Sequence, residues 1–187
     1  MQTQSLPALT AGEYPGGIWY YEPHVYMPYR YVLGRVGCRP LVCIGINPST
    51  AQPSALDPTL KSVERLAAAN GFDSWIMFNV YPQRATNPND MDPTPDRALC
   101  EENLRGFRAV LEQTEPTLWA AWGTLIEKRA YLPGLMREMV ALARAKGVPW
   151  VTIGPRSKKG HPHHPLYLRR DAVPEPFDVE GYLDTCF

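Results

Sequence analysis

Four apolar runs of strand length recur along the chain, and each is closed by a short polar punctuation. They lead into I-G-I-N-P-S-T at residues 44–50, M-F-N-V-Y-P at 77–82, W-A-A-W-G-T at 119–124, and G-H-P-H-H-P-L-Y-L at 160–168. Between them lie segments whose apolar residues repeat at helical spacing. Asp57 is placed as an N-cap and Pro58 as a first helical residue, with Leu60, Val63, Leu66 and Ala67 forming a stripe that stops at Asn70-Gly71. A second helix bears Leu99, Phe107, Val110 and Leu111, with Thr94 as its expected cap and Pro116 as its stop. Thr124 and Glu127 have the spacing of a reciprocal capping box, Pro133 is expected to break the helix they start, and Met136, Met139, Val140 and Ala143 then repeat until Gly147. Strands alternating with helices require right-handed crossovers, so Leu41–Ile46, Trp75–Tyr81, Thr117–Trp122 and Pro149–Ile153 are expected to form a mainly parallel sheet covered on both faces. Their carboxyl ends would line one crevice, the usual ligand position in an open α/β sheet.

The rest of the chain is read more loosely. Residues 1–29 mix prolines, glycines and tyrosines without a sustained period and are expected to form an irregular arm on a single α/β domain spanning 30–187, with a short strand at Tyr31–Arg35 and a loosely packed tail from Pro174 to Phe187. With 187 residues, 44% apolar and 20% charged, the chain has the makings of one ordinary domain with a real core. Nineteen basic and nineteen acidic residues cancel, which removes any global field for nucleic acid or anionic lipid but leaves room for a local patch. Cys38, Cys43, Cys100 and Cys186 are scattered without a C-x-x-C pair and read as reduced thiols. No leader or membrane-spanning run is apparent, so the expected location is cytoplasmic, with no membrane partner. Oligomeric state is not legible.

Candidate chemistry sits at the strand tips. Asn47 follows the first strand and is held extended by Pro48, so its amide either faces the crevice or caps a turn. Ser49 and Thr50 add hydroxyls and backbone amides suited to an anion, without a glycine-rich phosphate loop. Asn79 lies within an apolar strand, where an unpartnered amide costs roughly 1–3 kcal/mol, so it needs a ligand, a polar network or loop backbone. His161, His163 and His164 fall within four residues beside two prolines. Acidic and cysteine partners for a metal are lacking nearby, and one positioned histidine, acting as donor or acid, is the favoured reading. Arg156, Lys158, Lys159, Arg169 and Arg170 flank this loop, either as a basic rim for a phosphate or as a solvated surface. No metal or other cofactor is expected.

With Asn47-Pro48-Ser49-Thr50-Ala51, Asp57-Pro58-Thr59, Arg84-Ala85-Thr86, Ala121-Trp122-Gly123 and His164-Pro165-Leu166-Tyr167-Leu168, the chain resembles a bacterial domain family of unknown function over roughly residues 30–170. More distantly, Gly45-Ile46-Asn47-Pro48, Asn79, Trp122-Gly123 and His164-Pro165, in that order, resemble the landmarks of the uracil-DNA glycosylase superfamily. That resemblance implies a three-layer sandwich around a four-stranded parallel sheet. It also implies that Asn47 positions a water, Asn79 reads a base edge, and His164 stabilises a departing base. Tyr81, Arg84, Trp122 and Gly123 are further candidate substrate contacts, with Tyr81 as a ring on which a base swung out of the stack would pack. Asn47 stands where the most active members carry Asp, and an amide cannot accept a proton as a general base, so hydrolysis would need another carboxylate such as Asp57. The expected function is a glycosylase-like enzyme acting on DNA or a nucleoside; the alternatives are a non-catalytic nucleotide or base binder, or a hydrolase of an unrelated small molecule using Asp57 and His164.

Overall fold

Strand β4, Pro40–Gly45, is buried along its whole length and forms the centre of the sheet. A continuous apolar run can be buried on both sides, and here odd and even residues divide between two cores: Val42 and Ile44 face one, Leu41 and Cys43 the other. The structure, a computed structural model, describes residues 9–187. On one side β4 pairs in parallel with β5, Ser74–Asn79, in a register that sets Gly45 beside Asn79. On the other it pairs in parallel with β6, Thr117–Ala120, which pairs in parallel with β7, Trp150–Ile153. The four strands expected from the apolar runs therefore run together and in one direction.

The sheet is larger and more mixed than the expected four-stranded, mainly parallel one. Among the described residues, eight strands run in the order β1-β2-β3-β5-β4-β6-β7-β8, and the outer ones are antiparallel. Residues expected to form an irregular arm hold the hairpin β1, Ala11–Tyr14, and β2, Gly17–Glu22, which joins the core through β3, Val32–Arg35. Trp19 and Tyr21, two apart on β2, are buried in one core, while half-buried Tyr20 packs against the other; the period of two was present but too short to stand out among the glycines and tyrosines. At the opposite edge lies β8, Pro174–Pro176, whose prolines cannot donate main-chain hydrogen bonds to a further strand.

Helix α1, Pro58–Ala69, covers one face and begins where Asp57 accepts from the Leu60 amide at 2.9 Å, a cap of the kind worth about 1 kcal/mol. Residues 165–172 run alongside it, held by Ser62 Oγ donating to the Pro165 carbonyl and Asn70 Nδ2 donating to the Ala172 carbonyl. The other face is covered by α2, Arg97–Gln113, α3, Leu132–Ala145, and α4, Val179–Cys186. Three helix signals resolve differently from expectation. Asp96, not Thr94, caps α2, because its carboxylate accepts from Ala98 and Leu99. Thr124 and Glu127 form no capping box; Gly123–Glu127 is a 3₁₀ turn whose glutamate turns instead to Lys159 and His161. Pro133 opens α3 rather than ending a helix, since a missing N–H costs nothing in a first turn. The tail expected to be loose is docked: Val179, Tyr182 and Leu183 of α4 are buried in the core. All four cysteines are free thiols, and burial pushes Cys43 well above the usual thiol range, whereas Cys38 is exposed. No described helix is long and apolar enough to cross a membrane.

Candidate functional site

The parallel core strands end on one side of the sheet, and a cavity of about 150 Å³ opens there. Asn47 and Ser49 after β4, Asn79 at the end of β5, Trp122 after β6, His164 beyond β7 and Asp57 at the start of α1 all line it. Six candidate residues spread over more than a hundred positions are thus brought together at the ends of the parallel strands.

Asn79 is wholly buried, and neither Oδ1 nor Nδ2 has a protein partner. Its backbone, by contrast, is anchored: Asn103 of α2 donates Nδ2 to the carbonyls of Asn79 at 2.8 Å and Val80 at 3.2 Å. The neighbouring strand gives the carboxamide room. A Cβ at Gly45 would stand 3.0 Å from Asn79 Oδ1 and 2.7 Å from Met77 Cε, so only glycine leaves that space open. Asn47 donates Nδ2 to the Ala85 carbonyl at 2.7 Å and to the Pro48 carbonyl at 3.1 Å, which satisfies the turn and leaves Oδ1 without a hydrogen-bond partner among the described residues. Asp57 spends Oδ1 on the α1 cap.

The His164 ring is fixed by its neighbours. Nδ1 accepts from the Leu166 amide at 3.2 Å, so the neutral ring carries its proton on Nε2 and can donate from there. Burial, aided by His163 and opposed by Asp57, lowers its pKa below 6.5, which keeps the ring neutral at pH 7. Gly123, in the left-handed region at φ 58°, donates its amide to the Pro162 carbonyl and so pins the histidine loop to the end of β6. Trp122 is held from behind by Nε1 donating to the Tyr182 hydroxyl at 3.0 Å.

Residues 30–166 match the family described as Protein of unknown function (DUF1643). The chain belongs to that family. No curated protein and no solved structure matches it. The DUF1643 segment starts at Arg30 and ends at Leu166, and so contains every residue that lines the cavity.

One cavity residue within that segment carries no strand-tip signal. Arg30, just before β3, is 1% exposed; it donates one Nη1 bond to the Ala51 carbonyl and leaves Nε without a partner. Sequence reasoning passed over it because a lone arginine between two tyrosines looks like surface. Only the tertiary fold buries it.

Other candidates lie off the cavity. Thr50 is exposed. The buried Tyr81 hydroxyl donates to Asp92 and accepts from the Asp96 amide, tying down the loop that follows β5 rather than presenting a ring to a guest. Arg84 donates to the carbonyls of Met27, Ser49 and Ala51 and to the Tyr21 hydroxyl, clamping the Asn-Pro-Ser-Thr loop to the amino-terminal strands. Gly123 acts through the loop contact just described. The basic rim is exposed and mostly occupied: Arg156 stacks over Phe177, Lys159 pairs with Glu127, Arg169 with Asp171, and Lys158 faces solvent. His161 is interior, bonded to Tyr182 and Glu127. Among the described residues, no group of three or more His, Cys, Asp or Glu side chains could hold a metal ion.

Proposed function

We propose that the cavity takes one planar nucleobase ring, read by Asn79, and that the protein hydrolyses the bond joining that ring to its sugar, in DNA or in a nucleoside. The observation that carries this reading is the Asn79 carboxamide, buried beside the cavity with donor and acceptor both unpartnered. A paired donor and acceptor match the amide or imide edge of a base. A cavity near 150 Å³ is of the size that admits a single six-membered ring. The ordered resemblance of the same strand tips to the uracil-DNA glycosylase superfamily supports the choice of reaction.

In this scheme Asn47 Oδ1 accepts from the attacking water. The water oxygen bonds to the anomeric carbon, the carbon–nitrogen electron pair leaves with the ring, and the water's proton passes to Asp57 or to solvent. His164 donates from Nε2 to a ring carbonyl as negative charge grows there, where a fixed donor is most useful. A target in a duplex would first be swung out of the stack.

A second reading, base binding without hydrolysis, is favoured by one observation: the residue at the tip of β4 is an amide, and Asp57 already spends one oxygen on a helix cap. The two are separated by incubating the protein with nucleosides and with oligonucleotides carrying uracil, mismatches or modified pyrimidines. Abasic sites or free base, lost in Asn79→Leu and His164→Ala at an unchanged thermal midpoint, support hydrolysis. Calorimetric binding without product supports the second reading. Neither binding nor product with any of these probes removes both.

A further inference from the structure

A buried charge without an ion-pair contact among the described residues stands in the wall of the cavity. Arg30 is 1% exposed and lines the cavity, and among the described residues it makes no ion pair. Among the described residues, its side chain's one protein hydrogen bond is to the Ala51 carbonyl at 3.1 Å, an acceptor it shares with Arg84 at 3.0 Å. Nε is buried and unpartnered. Burial of the guanidinium, with Arg84 close by, pulls its pKa down to about 9, against the attraction of Asp57, so it remains charged at neutral pH. Two guanidinium groups and one carboxylate, with His164 neutral, leave this corner with a net positive charge.

A buried, unpaired cation is costly, and a purely structural arginine at this depth normally meets a carboxylate or a full set of carbonyls. Arg30 has one shared carbonyl. An uncharged ring recognised by Asn79 would leave that cost unanswered, whereas a ring carrying a negative charge would answer it with a charge-assisted hydrogen bond. Arg30 is buried in the wall of this ring-sized cavity, so a charge that reaches it belongs on the ring or on a small substituent of it.

We propose that Arg30 makes this site selective for an anionic planar ring, either a pyrimidine-like ring ionised on a ring nitrogen or one bearing a carboxylate. This rests on the base-binding reading above and narrows it to a substrate class.

The test is a calorimetric comparison at pH 7.5 of three free rings: uracil, which is neutral; 5-nitrouracil, whose ring is ionised; and uracil-5-carboxylate, whose charge is on the substituent. The intact protein is expected to bind at least one anion about 10- to 100-fold more tightly than uracil, the range of a hydrogen bond to a charged group. Which anion wins distinguishes ring ionisation from a substituent. Arg30→Met should abolish the preference, weakening the favoured anion at least about tenfold more than uracil, and Arg30→Lys should keep part of it. Should Arg30→Met fail to fold, the intact protein's ratio and Arg30→Lys still decide the matter. Uracil binding as tightly as both anions overturns this inference and leaves base recognition standing. Arg30→Met weakening all three rings equally does the same. If no ring binds, both fall together.

Discussion

Asn79 and Asn103 offer a controlled comparison, being two buried asparagines that meet across one strand end with opposite bonding. Asn103 donates Nδ2 to two carbonyls, whereas Asn79 makes no side-chain hydrogen bond to protein. Leucine matches asparagine in branching, so it removes polarity with little change of shape. In Asn103→Leu, two buried carbonyls lose a donor at about 1–3 kcal/mol each, and the loss of its own unpartnered Oδ1 returns part of that. The net cost is about 2 kcal/mol, or roughly 4–8 °C in Tm for a chain of this size. In Asn79→Leu no protein hydrogen bond is broken, and burying methyl groups in place of an unpartnered amide leaves Tm unchanged or raises it. The same substitution should weaken binding of a free base about 100-fold, the equivalent of two lost hydrogen bonds. Differential scanning calorimetry and titration calorimetry on both variants read the two effects separately. If Asn79→Leu lowers Tm as far as Asn103→Leu and leaves binding intact, the Asn79 amide is a structural group and the reasoning fails.

Gly45→Ala should weaken base binding at least tenfold while the fold persists, because the added methyl crowds Asn79 Oδ1 but on its other side meets only the movable tip of Met77; unaltered affinity in titration calorimetry would contradict this. The His164 pKa is lowered in the folded state, so the unfolded chain takes up its proton first, and stability falls as pH drops from 6.5 through the lowered value. Urea denaturation between pH 7.5 and 5 should show a smaller loss in His164→Asn than in the intact protein, and the ring's own NMR titration midpoint should lie below 6.5. Arg84→Met should cost roughly 3 kcal/mol in urea denaturation through the loss of its carbonyl contacts, whereas Arg169→Met, at an exposed pair with Asp171, should leave the denaturation midpoint where it is.

Local signals were legible where one residue decides a local event. The Asp57 cap with Pro58 behind it, the apolar stripe of α1 and the four buried strands needed no knowledge of the rest of the chain. Signals failed where two residues competed for one role or where a partner lay far away. Thr94 and Asp96 are both capping types, and the choice fell to the one whose carboxylate reaches two amides. Glu127 had the spacing for a cap, yet Lys159 and His161 lie within reach of it across the fold. The amino-terminal hairpin escaped notice because its alternation is only a few residues long.

The strand-tip candidates divide along the same line. Asn47, Asn79 and His164 could be picked out because polar groups at the ends of apolar runs are chemically out of place. Tyr81 and Arg84 were equally conspicuous in the sequence, and the fold uses them to secure loops. Arg30 was inconspicuous and lies in the cavity wall. Covalent order determined which segments became strands and helices, because periodicity and capping act over a few residues. Which of the polar side chains stayed unpartnered was decided only when the sheet closed, since hydrogen bonds and burial depend on neighbours that the chain brings in from a hundred residues away.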